Sequence, residues 1–122
     1  MTPDGKTLIE NSKILINEGY GREASKLYKI NGTYYHFFSE VKNGGRYIMM
    51  QRSSSITGPY LERKQLSHVQ REYNEPNQGG LVEGPDRKWY FFTHHGTGDW
   101  AGRIASLLPV YWSMVGRLLV RL

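Results

Sequence analysis

Before its tail, the chain alternates short apolar and aromatic runs with tight turn signals. No stretch there repeats its apolar positions every 3.6 residues, so strands are predicted and helices are not. Pro3-Asp4-Gly5 and Asn31-Gly32 are turn signals, and the second joins Lys26–Ile30 to Thr33–Ser39 as a hairpin. Asn43-Gly44-Gly45 breaks the pattern, Tyr47–Arg52 reads as a strand, and Thr57-Gly58-Pro59 turns the chain again. Asn74–Gly80, rich in Asn, Pro and Gly, reads as a loop. Leu81-Val82-Glu83 starts a strand that turns at Gly84-Pro85-Asp86 and returns over Lys88–Thr93. His94–Gly102 reads as a glycine-rich loop before a final strand, Arg103–Val110. Many short strands with regular turns predict an all-β fold: a sandwich, a barrel or propeller blades.

Composition narrows the classes. A chain of 122 residues suits one domain at most. With 39% hydrophobic and 13% aromatic residues it can bury a modest core, and the tyrosine-rich aromatics favour strands. The formal charge of +5 is spread along the chain, which describes a mixed solvated surface and argues against a nucleic-acid partner. The absence of cysteine excludes a disulfide framework. Met1–Lys6 lacks the apolar run of a signal peptide, so the chain carries no address and localisation stays open. The tail from Leu107 to Leu122 is apolar, but it is shorter than the ~20 residues of a membrane span. Arg117 and Arg121 also interrupt it, so no membrane partner is expected.

The residue that stands out chemically is Glu23, a lone acid in Gly21-Arg22-Glu23-Ala24-Ser25-Lys26-Leu27-Tyr28-Lys29-Ile30-Asn31-Gly32-Thr33-Tyr34-Tyr35. This segment resembles the general-acid segment of family 43 glycoside hydrolases, in which such an acid runs into Leu-Tyr-Lys, an Asn-Gly turn and a Tyr-Tyr strand. Three further segments follow in order. Arg52-Ser53-Ser54-Ser55-Ile56-Thr57-Gly58-Pro59-Tyr60 resembles a turn that joins one blade to the next, and no chemistry is assigned to it. Gln78-Gly79-Gly80-Leu81-Val82-Glu83 resembles the step before a channel-facing strand, where many relatives carry a histidine that helps hold a central metal ion. Here the position holds Gln78, a neutral amide, so no cofactor or metal is expected. Gln78 is read either as a sugar-hydroxyl contact or as a loop amide capping nearby backbone. Thr93-His94-His95-Gly96-Thr97-Gly98-Asp99-Trp100-Ala101-Gly102-Arg103 resembles the loop whose closing Arg reaches the bound sugar. Arg103 matches that Arg, whose forked donors suit the role. His94 and His95 are adjacent, so on a strand they point to opposite sides and only one faces the channel. With no Cys and no third clustered His, they make no zinc pair. Trp100 is read as a sugar platform, with ordinary packing as the alternative.

The resemblance implies a partial five-bladed β-propeller of about two blades, each a four-stranded antiparallel sheet. It covers residues 1–112, and 113–122 reads as an aberrant tail. It also implies an inverting glycoside hydrolase that acts on arabinose- or xylose-containing plant polysaccharide or oligosaccharide. Glu23 is the candidate catalytic acid, and Gln78, His94, His95, Trp100 and Arg103 are the candidate substrate contacts. Glycoside hydrolysis takes two carboxyl groups. The family's base and its second Asp belong to blades that precede the matching segment, so the chain alone is expected to be inactive. The missing blades could come from a neighbouring reading frame. The alternative is a non-catalytic carbohydrate-binding β module.

After Pro109-Val110-Tyr111-Trp112 the family typically continues through an Asp-Gly-Trp-Pro step, whereas this chain reads Ser113-Met114-Val115-Gly116-Arg117. Among the codon sets that would encode Ser113–Arg117, one, TCG-ATG-GTT-GGC-CGN, regrouped one nucleotide earlier spells GAT-GGT-TGG-CCG, which is Asp-Gly-Trp-Pro; this requires particular third bases at Ser113, Val115 and Gly116. The expectation is therefore a single-nucleotide frameshift near Trp112 or Ser113 as the origin of the tail. Sequencing the gene tests this: the bases after the Trp112 codon should spell Asp-Gly-Trp-Pro in the neighbouring frame, and any other reading there refutes the shift.

Overall fold

The computed structural model describes residues 1–42, 45–66, 77–96, 102–112 and 118–120. None of these is helical, so no helix among them is long and apolar enough to cross a membrane. Eight strands follow in chain order: β1 (Arg22–Ile30), β2 (Thr33–Lys42), β3 (Gly45–Ser53), β4 (Leu61–Gln65), β5 (Asn77–Glu83), β6 (Trp89–Gly96), β7 (Arg103–Trp112) and β8 (Leu118–Val120). They form two four-stranded antiparallel meanders, β1-β2-β3-β4 and β5-β6-β7-β8, which are the all-β pair of sheets expected of two blades.

The first hairpin forms where the sequence places it. Asn31 and Gly32 take φ values of 49° and 81°, the left-handed pair that a tight two-residue turn between twisted strands requires. The second hairpin is closed by Gly84 N–H donating to the Lys88 carbonyl at 2.8 Å. Asp86 braces that turn by accepting from Lys88 N–H at 3.1 Å and from the Tyr90 hydroxyl at 3.0 Å.

Alternation along β2 decides where the core lies. Tyr35 and Phe37 face the second sheet together with Ile48, Met50 and Leu66, and meet Leu81, Phe91 and Val110. Phe37 and Phe91 are the hub, with ring centroids 5.5 Å apart, and Tyr28 packs its edge on Phe37 at 5.8 Å. Trp112 meets Tyr35 at 5.4 Å and Trp89 at 6.1 Å, so the end of β7 closes the same core.

The opposite face of β2 is also buried. His36, Phe38 and Glu40 point there, across from Gln51, Met49 and Tyr47 in register. The coil before β1 lies on this side: Gln51 Nε2 donates to the Ile16 carbonyl at 3.3 Å, and Arg22 donates to Asn17 Oδ1 at 3.0 Å and to the Glu18 carbonyl. Glu40 accepts from Arg22 Nε at 3.2 Å and pairs with Arg63, and both guanidinium groups lie over the Phe38 ring. Burial is the largest single influence on Glu40 and pushes its carboxyl up. The hydrogen bonds and charges of Arg63 and Arg22 together outweigh it and hold the group below the usual carboxylate range.

The strand boundaries differ from expectation in several places. β4 has the polar sequence Leu-Glu-Arg-Lys-Gln and a mostly exposed outer side, so its partner ladder on β3 makes it a strand and its own pattern does not. Asn77–Gly80, expected in a loop, opens β5, and His94–Gly96, also expected in a loop, ends β6. β7 continues two residues past Val110 to Trp112. Within the expected tail, Leu118–Val120 pair with Trp112–Val110 as β8, and the rest of 113–122 lies outside the described residues.

Truncating the hub should be costly, because Phe37 is 1% exposed and touches both sheets. Phe37→Ala is expected to destabilise the chain by about 3–5 kcal/mol. Urea unfolding followed by tryptophan fluorescence measures it, and a loss within error of zero would place the core elsewhere.

Candidate active site

Two β-bulges build the site. The β1/β2 ladder runs one-to-one from Ile30 back to Lys26, then slips so that Glu23 pairs with Ser39 and Lys26 with Phe37. The β5/β6 ladder slips in the same way: Gly80 pairs with Phe92 and Asn77 with His94. Each bulge sets two residues against one, Ala24 and Ser25 against Phe38 and Gln78 and Gly79 against Thr93, and each holds a non-glycine residue in the left-handed region, Ala24 at φ 56° and Gln78 at φ 60°. A bulge at a strand start turns its side chain away from the regular pleat. The two bulges therefore re-aim Glu23 and Gln78, and the two side chains meet: Gln78 Nε2 donates to Glu23 Oε1 at 3.2 Å.

Gln78 is held from three sides. Its N–H donates to Ser39 Oγ at 2.8 Å, its carbonyl accepts from Thr93 Oγ1 at 2.7 Å, and its amide reaches Glu23. Ser39 and Thr93 are each 2% exposed, so these backbone bonds are shielded from water. Gly79 completes the clamp. At φ 133°, a Cβ there would run into the Phe92 carbonyl and lie 2.6 Å from Phe91 Cε1, so the position takes only glycine.

Arg103, at the start of β7, pairs across from Gly96, and its Nη1 lies 3.4 Å from His94 Nδ1. A guanidinium only donates, so His94 Nδ1 is the acceptor and the ring is neutral in this contact. Burial is the main cause that lowers the His94 pKa, followed by the charges of Arg103, Arg46 and His95. His95 points the other way and its Nδ1 lies 3.1 Å from Ser106 Oγ, so His94 is the histidine that shares a face with Arg103.

The structure thus brings Glu23 to Gln78 and His94 to Arg103. Both pairs sit at one end of the two sheets, at the starts of β1, β5 and β7 and the end of β6. Trp100 lies outside the described residues. The sequence did not single out Ser39 and Thr93, which fix Gln78, or Arg46, whose charge reaches His94. Ser39 did leave a signal, as a lone hydroxyl ending the aromatic run Tyr34–Phe38. Glu40 is the carboxyl next in register, opposite Arg22, but it is committed to Arg22 and Arg63. At the position where many relatives carry a histidine, Gln78 turns its amide nitrogen to Glu23.

The sequence model of glycosyl hydrolases family 43 matches residues 1–117. The chain belongs to that family. It is 37% identical over 112 residues to a protein of Xylanibacter ruminicola provisionally named a beta-xylosidase, a match covering 92% of this chain and 21% of that protein. It is 31% identical over 131 residues to a beta-xylosidase of Formosa agariphila, covering 92% of this chain and 22% of that one. Among solved structures, a bifunctional GH43-CE protein of Bacteroides eggerthii superposes with a TM-score of 0.70 at 35% identity, covering 83% of this chain and 12% of that chain. The chain therefore spans about a fifth of the length of the curated relatives it matches. Its two four-stranded sheets are two blades of the family 43 propeller.

The His94–Arg103 contact has a measurable signature. His94 should titrate below the ordinary histidine range, and the contact should be lost as pH falls through that lowered value. Arg103→Gln removes one of the lowering charges, so the His94 pKa should rise while burial keeps it below normal. NMR titration of the imidazole reads both, and an unchanged His94 pKa in the variant would separate the two residues.

Proposed function

We propose that this chain is the general-acid-bearing part of a family 43 glycoside hydrolase that acts on xylose-containing plant oligosaccharide or polysaccharide. The observation that carries this reading is the Glu23–Gln78 contact, in which the bulges of two adjacent blades aim a carboxyl and an amide at each other. Family membership and the names of the relatives supply the class. Both curated relatives bear the name beta-xylosidase, which favours xylose over arabinose.

In this reading Glu23 gives its proton to the leaving glycosidic oxygen. Gln78 orients the carboxyl through Oε1 and leaves Oε2 to face the sugar. Arg103, braced by neutral His94, donates to sugar hydroxyls at the same end of the sheets, and Trp100 supplies a stacking face. The base and the second acidic residue come from the propeller blades that the relatives have and these 122 residues lack. The chain alone therefore does not turn substrate over.

Purified chain offered an aryl xyloside and an aryl arabinofuranoside should hydrolyse neither. In a longer polypeptide that carries this segment within a whole propeller, Glu23→Gln should lower kcat on the xyloside by about 10²–10⁴-fold. Turnover by the isolated chain that Glu23→Gln abolishes would overturn the claim of incompleteness. Full activity of the Glu23→Gln propeller would overturn the acid assignment. A carbohydrate-binding module would instead keep its sugar affinity after the change and show no turnover in either context.

A further inference from the structure

Ala24 holds a left-handed backbone conformation that residues with a Cβ avoid, so something must stabilise the bulge it forms. Lys26 Nζ reaches the Ala24 carbonyl at 3.5 Å from an exposed position. The stronger link is to Ser25, whose Oγ lies 3.0 Å from His36 Nε2.

The direction of that bond follows from the groups behind it. Gln51 Nε2 lies 3.3 Å from the Ile16 carbonyl and 3.1 Å from His36 Nδ1. A carbonyl only accepts and an amide nitrogen only donates, so His36 Nδ1 must accept. The imidazole proton then sits on Nε2 and is donated to Ser25 Oγ. From Ile16 to Ser25 the polarity has a single solution.

The ring that makes this link has little freedom. His36 is 1% exposed, stacks on Phe38 with centroids 5.0 Å apart, and meets the edge of Tyr60 at 5.9 Å. Across β2 it faces Gln51 on β3 and Leu27 on β1, both uncharged. The charged groups on this face are Arg22, Arg63 and Glu40, which are gathered around Phe38 and paired with one another. Burial favours the neutral ring.

We propose that His36 is a positioning residue for Glu23: its Nε2–H fixes Ser25, and Ser25 fixes the bulge that turns Glu23 toward Gln78. This role rests on the reading of Glu23 as the general acid, but its geometry can be tested without turnover. It extends the site from the surface to a buried imidazole and, through Gln51, to the coil that precedes β1.

The test is NMR on the whole chain. Long-range nitrogen correlations at pH 7 should show the His36 proton on Nε2. Cross-peaks should connect the Gln78 side-chain amide to the Glu23 methylene groups. Ser25→Ala is an exposed change that spares the core, and it should abolish those cross-peaks while leaving the amide spectrum of β5 to β7 unchanged. His36→Phe should do the same, and His36→Gln, which restores a donor, should recover them. Should His36→Phe fail to fold, Ser25→Ala alone decides the matter. A proton on Nδ1, or cross-peaks that survive Ser25→Ala, would overturn the proposal. If the cross-peaks behave as expected while Glu23→Gln leaves a whole propeller active, the positioning stands and the acid assignment falls.

Discussion

The arrangement of the candidate site depends on how β5 is fastened to the first sheet. Bulging a strand frees backbone groups from the ladder, and a buried group left unpaired costs more than the bond it lost. Here the freed groups are taken up across the sheet boundary. Gln78 N–H goes to Ser39, Leu81 N–H goes to the Tyr28 hydroxyl at 2.9 Å, and the Gln78 carbonyl takes the Thr93 hydroxyl. Two of the three bonds end on side chains of the first sheet, so the irregularity that aims Gln78 is also what locks one blade to the next. The Phe37–Phe91 contact lies beneath this seam and excludes water from it.

β2 is the strand that allows this. It is buried on both faces from Tyr35 to Glu40, with a dry aromatic side toward the second sheet and a polar side carrying His36 and Glu40. A buried carboxylate is tolerated only with partners, and Glu40 has two arginines stacked on one aromatic ring. That commitment separates the two neighbouring acids chemically. Glu40 is tied into a structural ion cluster, whereas Glu23, one register step away, has an exposed side chain that accepts from the Gln78 amide.

Most of the fold was legible in the sequence wherever a strand carries its own pattern. The Asn31-Gly32 turn and the aromatic run after it fix the facing ends of β1 and β2, and Gly84-Pro85-Asp86 does the same for β5 and β6, while the far ends of all four strands run three or four residues beyond their own patterns. The pattern fails where neighbours decide the structure. β4 is polar and exists because β3 offers it a ladder, and Asn77–Gly80 looks like a loop because bulges are written in Gly and Asn, the vocabulary of loops. At the candidate site, Glu23, Gln78, His94 and Arg103 could be nominated because each lies in a segment that resembles the family's. Ser39, Thr93 and His36 could not, because their importance lies in what a hydroxyl or imidazole meets across the sheet, and that distance is not encoded locally.

The two blades repeat one design with different chemistry. In each, the first strand opens on a bulge, a non-glycine residue takes the left-handed conformation, and the next strand supplies the partner that steadies it. In the first blade the bulge presents a carboxyl and in the second an amide. The second blade also leaves Val82, Phe92, Leu107 and Tyr111 exposed, with Phe92 and Leu107 directly paired across β6 and β7. The first blade covers its own outer face with a coil and a charged cluster. An apolar face of this kind on a lone sheet is costly in water, whereas against a further sheet it becomes an interior. Among the described residues the pair of blades is therefore asymmetric, covered on one side and apolar and exposed on the other, and Glu23 and Gln78 lie at the seam between them.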